Sequence, residues 1–150
     1  MIPEPIRNYL EDHAVPFRAS EHRYGVTAQQ TAQEAHVKGK RFGKTVVLEQ
    51  DGQYILAVIP ATEHLDLAAI REQLGPNVRL ASEAEMARLF PICEQGAMPP
   101  LGGLFGLPVI ADACLERQPT ITVNGGTHTD VIELRWEDFV SSEHPRILTH

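Results

Sequence analysis

The lysines of this chain, the side chains most suited to binding an anion, are concentrated in one short stretch. The sequence contains three lysines in all, and each lies within "VKGKRFGKTVVL", which begins at residue 37. They are Lys38, Lys40 and Lys44, with Arg41 between the second and the third. The concentration is unexpected in a chain of net charge −7. It raises the question of whether these cations bind a ligand or are only solvated.

Lys44 opens a run that has the composition of a β-strand. Because side chains alternate along a strand, Lys44 shares a face with Val46 and Leu48, while Thr45 lies on the other face. A partly desolvated ammonium at the end of an apolar face would hold an anion strongly. The alternative is a lysine that extends from a strand end into water. The pattern alone leaves both interpretations open.

A second candidate site is the segment "NGGTHTD" at residues 124–130. Consecutive glycines, Gly125 and Gly126, allow a backbone to approach a ligand closely, and His128 or Asp130 could polarise or orient that ligand. The alternative is a plain Gly-Gly turn between two strands.

A third candidate is the Gly/Pro-rich segment "PICEQGAMPPLGGLFG" at residues 91–106. We expect a long loop without secondary structure here, and such loops in a compact domain are usually functional or disordered. The apolar residues Leu101, Leu104 and Phe105 argue against disorder. The segment is therefore expected to be an ordered loop that exposes backbone amides for binding.

Several other kinds of site are not supported by the sequence. The seven histidines are scattered, and Cys93 and Cys114 do not have the spacing of a zinc site, so we expect no metal, no cofactor and two reduced cysteines. There is no P-loop and no Gly-x-Ser-x-Gly elbow. The acidic net charge argues against broad, nonspecific nucleic-acid binding, although it allows a local basic patch that grips one end of an RNA.

The surrounding elements are predicted as a mixture of helices and strands. Helices are expected at 3–13, at 26–36 with Thr27 and Gln30 as a capping box, at 65–75, and at 82–90 with Ser82 and Glu85 as a second box. Strands are expected in a hairpin over 43–60 around Asp51-Gly52, and at 107–112, 120–125 and 130–135, with a terminal helical turn at 136–140.

The predicted fold class is α/β in the mixed α+β sense, with a mixed and partly closed β-sheet flanked by helices. The length of 150 residues predicts a single domain over residues 1–150. No apolar run approaches the ~20 residues of a membrane span. The first residues lack the continuous apolar core of a signal peptide, so we expect a cytoplasmic protein with no membrane partner.

The order of these motifs resembles the YbaK/prolyl-tRNA synthetase-associated editing domains. The resemblance covers about residues 20–140 and rests on "GKTVVL", "GAMPP" and "VNGGTHTD" in that order. "GAMPP" is similar to the family's Gly-x-x-x-Pro loop, and Lys44 matches the family's essential lysine. The family consists of deacylases that hydrolyse the ester of a wrongly charged aminoacyl-tRNA and need no metal.

The resemblance implies roles for specific residues. Lys44 would hold the 3′-terminal adenosine and stabilise charge, and the backbone of the Gly-x-x-x-Pro loop would stabilise an oxyanion; this loop comprises Gly96, Ala97, Met98, Pro99 and Pro100. The substrate pocket would include His22, Phe17, Thr45, Asn124, Gly125, Gly126, Thr127, His128 and Asp130. The acceptor end of the tRNA would contact Lys38, Lys40 and Arg41, which we name the basic lip.

The implied function is a trans-editing aminoacyl-tRNA deacylase acting on a small amino acid such as alanine, cysteine, serine or threonine. Its partner is the mischarged tRNA, with a synthetase or an elongation factor as a further partner that lends tRNA affinity. Two alternatives stay open at this point. One is a binding module of the same fold without hydrolysis, and the other is a metabolic enzyme that binds a nucleotide or phosphate through the Gly-rich loop.

Overall fold

A computed structural model describes residues 1–23 and 27–149 of the chain. Within these residues the helices are α1 Glu4–Asp12, α2 Ala28–Glu34, α3 Leu67–Leu74, α4 Glu83–Leu89, α5 Gly102–Phe105 and α6 Trp136–Glu143. The strands are β1 Arg18–Glu21, β2 Phe42–Gln50, β3 Gln53–Pro60, β4 Val78–Leu80, β5 Val109–Asp112, β6 Thr120–Asn124, β7 Asp130–Arg135 and β8 Arg146–Leu148. Short 3₁₀ turns at Gly39–Arg41 and Ala113–Arg117 precede β2 and follow β5.

Both predicted capping boxes are present. The Thr27 hydroxyl accepts a hydrogen bond from the Gln30 amide at 3.1 Å, and the Ser82 hydroxyl accepts one from the Glu85 amide at the same distance. In each box the side chain three residues on accepts a bond from the amide of the cap residue. These bonds satisfy amides that the first turn of a helix leaves without a partner. Val26, which the predicted second helix included, lies outside the described residues.

The predicted hairpin is also confirmed. β2 and β3 pair antiparallel from Gly43 opposite Pro60 to Gln50 opposite Gln53. At the turn Asp51 has φ 51° and Gly52 has φ 86°, which are the left-handed conformations that a tight hairpin turn of this kind requires.

The sheet is mixed, as expected. Its strand order is β1-β7-β6-β2-β3-β5-β8, and β4 is joined to β2 beside this path. The pairs β2–β6, β3–β5 and β5–β8 are parallel, and the other pairs are antiparallel. Helices pack against this sheet, so the predicted class of a mixed sheet flanked by helices is confirmed.

Strand β2 has two partners in succession along one edge. Its first residues, Phe42 and Gly43, pair with β6, and its last residues from Leu48 to Gln50 pair with β4. Between these two stretches the ladder with β6 has ended and the ladder with β4 has not begun. Lys44 and Thr45 therefore lie where the sheet divides.

The two faces of β2 pack in different cores, which confirms the predicted alternation. Val47 faces the main core together with Leu56 and Val58 of β3. Leu48 lies on the opposite face in a second core that also includes partly buried Val46. Phe42 is on this same face under α2, so Lys44 stands in an otherwise apolar row.

The structure differs from the prediction in its short elements. The segment 91–106 is not free of secondary structure, because it ends in the four-residue helix α5. The terminal helical turn is a longer helix, α6, and β8 follows it. Strands β1, β4 and β8 were not predicted, since three or four residues give no recognisable alternation and their pairing is imposed by neighbouring strands.

The N-terminal segment packs directly under the Gly-Gly turn. A Cβ atom on Gly126, which has φ +95°, would lie 2.7 Å from Ile6 Cδ1 and 2.9 Å from the Pro3 ring. A Cβ on Gly125 would lie 2.8 Å from Ile2 Cγ2. The close approach that these glycines allow is thus to the protein's own N-terminal residues, and this packing sets the position of the turn.

Replacing Gly126 by alanine is expected to destabilise the fold by about 2–5 kcal/mol. A left-handed conformation costs a residue with a Cβ roughly 1–2 kcal/mol, and overpacking against α1 adds about 1–3 kcal/mol. Gly52→Ala is the matched control, because Gly52 also has positive φ but a Cβ there would meet no atom within 4 Å. Urea unfolding of both variants measures the difference. Equal losses would contradict the packing argument.

No helix of residues 1–23 and 27–149 has the length and apolar character needed to cross a membrane.

Candidate functional site

A polar cleft opens where β2 and β6 separate, and we name it the Lys44 cleft. Its volume is about 160 Å³. Its described lining consists of Thr27, Ala28, Thr31, Lys44, Thr45, Gly96, Asn124 and His128. The residues come from five places in the chain: the start of α2, the start of β2, the Gly/Pro-rich segment, the end of β6 and the turn that follows β6. The structure therefore brings together residues from each of the three candidate segments.

Helix α2 forms one wall of the cleft and is held there by a small apolar core. Ala32 of this helix packs with Phe42 of β2 and Val131 of β7. The packing fixes the first turn of α2 beside the end of β6, so Ala28 and Thr31 face the cleft. These wall residues were missed in the sequence, where the capping box indicated a helix start but not what the helix faces.

Lys44 is half-buried in this cleft. Burial lowers the pKa of its ammonium group, because removal from water disfavours the charged form. The carboxylate of Glu63, which follows β3, opposes this effect. The lysine is thus partly desolvated with a carboxylate in its surroundings, as expected of a cation that is held ready for an anionic group. Glu63 was also missed from the sequence.

Two buried oxygen atoms on the cleft wall have no hydrogen-bond partner among residues 1–23 and 27–149. They are Thr45 Oγ1 and Asn124 Oδ1, and Asn124 is only 5% exposed. A buried polar atom without a partner typically costs about 1–3 kcal/mol. Both atoms belong to residues that line the cleft, so a polar ligand bound there could supply the missing partners.

The Gly-x-x-x-Pro loop contributes to the cleft mainly through Gly96. Gly96 has φ +82° and lines the cleft, whereas the residues from Ala97 to Pro100 are buried beneath it. The Ala97 amide already donates to the Glu94 carbonyl at 3.0 Å, and the two prolines have no amide hydrogen. Of the predicted oxyanion donors in the loop, this leaves the amides of Gly96 and Met98.

Residues 94–97, at the start of this loop and just before it, are joined to the Gly-Gly turn and His128 by four hydrogen bonds among the described residues. The Glu94 amide donates to the Gly126 carbonyl at 2.8 Å, and the Gly126 amide donates to the Ala97 carbonyl at 2.9 Å. The His128 amide donates to Glu94 Oε1 at 2.6 Å, and the His128 ring lies with Nε2 2.7 Å from the Gln95 carbonyl oxygen. Because a carbonyl oxygen can only accept, Nε2 carries the hydrogen. His128 therefore positions the loop.

The protein matches one family model, that of the aminoacyl-tRNA editing domain, over residues 22–141. The chain belongs to this family. The match covers most of the chain and includes every residue that lines the Lys44 cleft, which confirms the resemblance found in the sequence. No curated protein matches the chain.

Solved structures share the fold of this editing domain at low sequence identity. A candidate trans-editing enzyme for prolyl tRNA synthetase is 20% identical with a TM-score of 0.83, and the match covers 98% of this chain and 96% of that one. A hypothetical protein is 20% identical with a TM-score of 0.85, covering 96% and 97%. A candidate signal transduction protein from Marinobacter aquaeolei VT8 is 20% identical with a TM-score of 0.75, covering 100% of this chain and 30% of that one.

Some of the predicted pocket residues of the editing domain lie beside the cleft rather than on its described lining. Asp130 is 2% exposed, and its carboxylate contacts the Thr127 hydroxyl at 2.5 Å and the Met1 amino group at 2.9 Å. The His22 amide donates to the Thr129 carbonyl at 2.8 Å. Phe17 packs against the main core, with the Arg7 guanidinium over its ring. These contacts shape the turn and its surroundings.

The basic lip lies just before β2, on the 3₁₀ turn. Lys38 and Lys40 are exposed, and Arg41 is half-buried. No cluster of three or more His, Cys, Asp or Glu side chains suited to a metal ion is found in residues 1–23 and 27–149.

Replacing Thr45 by valine is expected to leave stability unchanged or to raise it by up to about 1 kcal/mol. The hydroxyl has no partner in the part of the chain that the structure describes, so removing it removes a desolvation cost. Thr127→Val is the matched control and should lose about 1–3 kcal/mol, because its hydroxyl donates to buried Asp130. Urea unfolding checks both. A comparable loss in Thr45→Val would show that its hydroxyl has a structural partner.

Proposed function

We propose that this editing domain hydrolyses the ester bond of a mischarged aminoacyl-tRNA. The observation that carries the proposal is the content of the Lys44 cleft. A partly desolvated ammonium, two unpartnered buried oxygens and a glycine in the left-handed conformation face the same space. These groups suit a substrate that brings an anionic phosphate and a polar ester. Membership of the editing family supports the same reaction.

The reaction requires little from the protein, because an aminoacyl ester is already activated. A water oxygen attacks the ester carbonyl carbon and gives up a proton, which forms a tetrahedral oxyanion. The bond between the carbonyl carbon and the ribose oxygen then breaks, the ribose oxygen takes up the proton that the water released, and free amino acid and uncharged tRNA leave. Positioning the water and stabilising the oxyanion supply most of the catalysis in such a reaction. The neighbouring ribose hydroxyl would help to activate the water.

Within this proposal Lys44 holds the phosphate of the 3′-terminal adenosine and stabilises the charge that develops. The Gly96 amide is the best-placed oxyanion donor, because Gly96 lines the cleft and the Ala97 amide is already engaged. Thr45 Oγ1 and Asn124 Oδ1 would accept hydrogen bonds from the amino group of the substrate or from the attacking water.

The size of the cleft supports a small amino acid. Its volume of about 160 Å³ has room for several water-sized groups. We therefore expect the aminoacyl group of alanine, cysteine, serine or threonine to fit there together with the attacking water. The adenosine would then lie at the mouth of the cleft.

The proposed partner is the acceptor end of the tRNA, which the basic lip approaches. A net charge of −7 makes extensive contact with an RNA unfavourable, so a synthetase or an elongation factor is a suitable source of further tRNA affinity. We place the reaction in the cytoplasm, where charged tRNAs are used.

A panel of tRNAs charged with alanine, cysteine, serine or threonine tests the function. Wild-type protein is expected to deacylate at least one mischarged member, and Lys44→Ala is expected to lower kcat by about 10²–10³-fold, as for loss of a group that stabilises an oxyanion. Arg117→Ala removes an exposed cation that is not on the described lining of the cleft and should retain most of the activity.

Three results would contradict this assignment. Equal rates of hydrolysis by wild type and Lys44→Ala would show that the lysine has no catalytic role. Binding of charged tRNA without hydrolysis of any panel member would favour the non-catalytic module instead. Tight binding of a free nucleotide with no tRNA dependence would favour the nucleotide-binding enzyme.

The pH dependence follows from the lowered pKa of Lys44. The ammonium is charged below its pKa and loses its charge as pH rises through it, at a lower pH than the ~10.4 of an ordinary lysine. Activity, after subtraction of uncatalysed ester hydrolysis, should therefore fall at a lower alkaline pH than an exposed lysine would allow. Lys44→Arg keeps its charge throughout, so its normalised profile should lack this fall. Coincident profiles would exclude titration of Lys44 as the cause.

A further inference from the structure

A second polar cleft lies at the other end of α2, and we name it the Arg41 cleft. Its volume is about 210 Å³. The polar residues on its lining are Arg18, Ser20, His36, Arg41, Thr122 and Glu133. Ala35 and Val37, which follow α2, complete it together with Val131. Neither the family match nor the predicted site assigns a role to this cleft as a whole.

The floor of the Arg41 cleft is a row of paired residues across three strands. Arg18 of β1 lies opposite Glu133 of β7, and Glu133 lies opposite Thr122 of β6. Thr122 in turn pairs with Phe42, the residue after Arg41. Because these residues are directly paired, the register of the sheet fixes their spacing. His36 reaches the rim after a reversal of the chain at φ 58°.

The fold leaves part of the positive charge of this cleft without a partner among residues 1–23 and 27–149. Arg41 is half-buried, and no described residue accepts a hydrogen bond from its buried Nε atom. In the part of the chain that the structure describes, neither Arg18 nor Arg41 takes part in an ion pair within 4.0 Å. Two guanidinium groups face one carboxylate here, so the cleft retains positive charge. A buried donor without a partner is costly unless a ligand supplies the acceptor.

The Arg41 cleft is a short distance from the Lys44 cleft on the same face of the sheet. Thr122 and Asn124 are two residues apart on β6 and therefore point to the same side. Arg41 and Lys44 are three residues apart, about 10 Å along an extended chain. A stacked nucleic-acid strand advances roughly 3.4 Å per nucleotide, so this separation corresponds to about three nucleotides or fewer.

We propose that the Arg41 cleft binds a backbone phosphate of the single-stranded 3′ end, one to three nucleotides before the terminal adenosine. The inference rests on the proposed function, since it takes the terminal adenosine to be at Lys44. Guanidinium groups suit this role, because their planar arrangement of donors matches two phosphate oxygens at once. Exposed Lys38 and Lys40 would attract the strand, while Arg18 and Arg41 would fix which phosphate is held.

Substrates of increasing length test the proposal. They are an aminoacyl-adenosine, an aminoacylated trinucleotide ending in adenosine, and the aminoacylated tRNA. Arg41→Gln and Arg18→Gln are each expected to raise KM about tenfold for the tRNA, the loss typical of one charged hydrogen bond, and to leave aminoacyl-adenosine hydrolysis unchanged. The length at which the effect first appears shows which phosphate is bound. The exposed residue Arg18 serves as a second variant if Arg41→Gln folds poorly.

The salt dependence provides an independent measure. The slope of log KM against log salt concentration for tRNA should decrease by about 0.7 for each phosphate contact that is lost. Arg117→Gln is the matched control: it removes the same charge from an exposed position near the start of β6, at the opposite end of that strand from Asn124, and should change neither KM nor slope.

The outcomes separate this proposal from the proposed function. Unchanged KM and slope in both variants, or an equal loss on aminoacyl-adenosine, would overturn the phosphate site while leaving the deacylase intact. A free mononucleotide that binds as tightly as the trinucleotide would also overturn it. If the wild type hydrolyses no substrate, the deacylase fails, and weaker binding of uncharged tRNA by Arg41→Gln in fluorescence anisotropy would still support the phosphate site.

Discussion

The central structural constraint in this protein is that β2 cannot keep one neighbour along its whole edge. It pairs with β6 for two residues and with β4 for its last three. The parallel pair with β6 sets the direction in which both strands emerge, so Lys44 and Asn124 arrive at the same opening. If β2 and β6 stayed paired beyond this point, no opening would remain between them beside Lys44 and Asn124. The cleft is thus a product of strand order, and Lys44 and Asn124 line it at the point where β2 and β6 no longer pair with each other.

The Lys44 cleft keeps its shape because the segments that surround it are bonded to one another. The Gly/Pro-rich loop is bonded to the Gly-Gly turn through backbone groups and through His128, and the turn rests on the N-terminal residues. Asp130 holds the same turn from inside the protein. Most of the polar residues in these segments therefore hold the loop and the turn in place. The groups that remain to contact a ligand are few: Gly96, the end of β6 and the start of β2.

Local signals in the sequence were sufficient to predict the elements whose stabilising contacts lie close together in the chain. The hairpin at Asp51-Gly52 and the capping boxes at Thr27 and Ser82 depend on residues close together in the chain, and each was predicted correctly. Strands such as β4 and β8 depend on a partner distant in sequence, and they were missed. The same reasoning applies to the site. Lys44 was identified from strand alternation and resemblance, whereas Glu63 and the wall residues of α2 reach the cleft only through tertiary packing.

Polar residues that are bonded within the protein can be distinguished from polar residues that have no partner in the described structure. Arg79, Glu85 and Tyr54 form a connected network, so their charges are explained by structure alone. Thr45, Asn124 and Arg41 are different, because each buries a polar atom that no part of the described structure satisfies. A chain selected for stability alone would lose such atoms, since apolar replacements of similar shape cost little or even stabilise. Because Thr45 and Asn124 line the Lys44 cleft and Arg41 lines the Arg41 cleft, a bound strand of phosphates with a terminal ester could supply their partners.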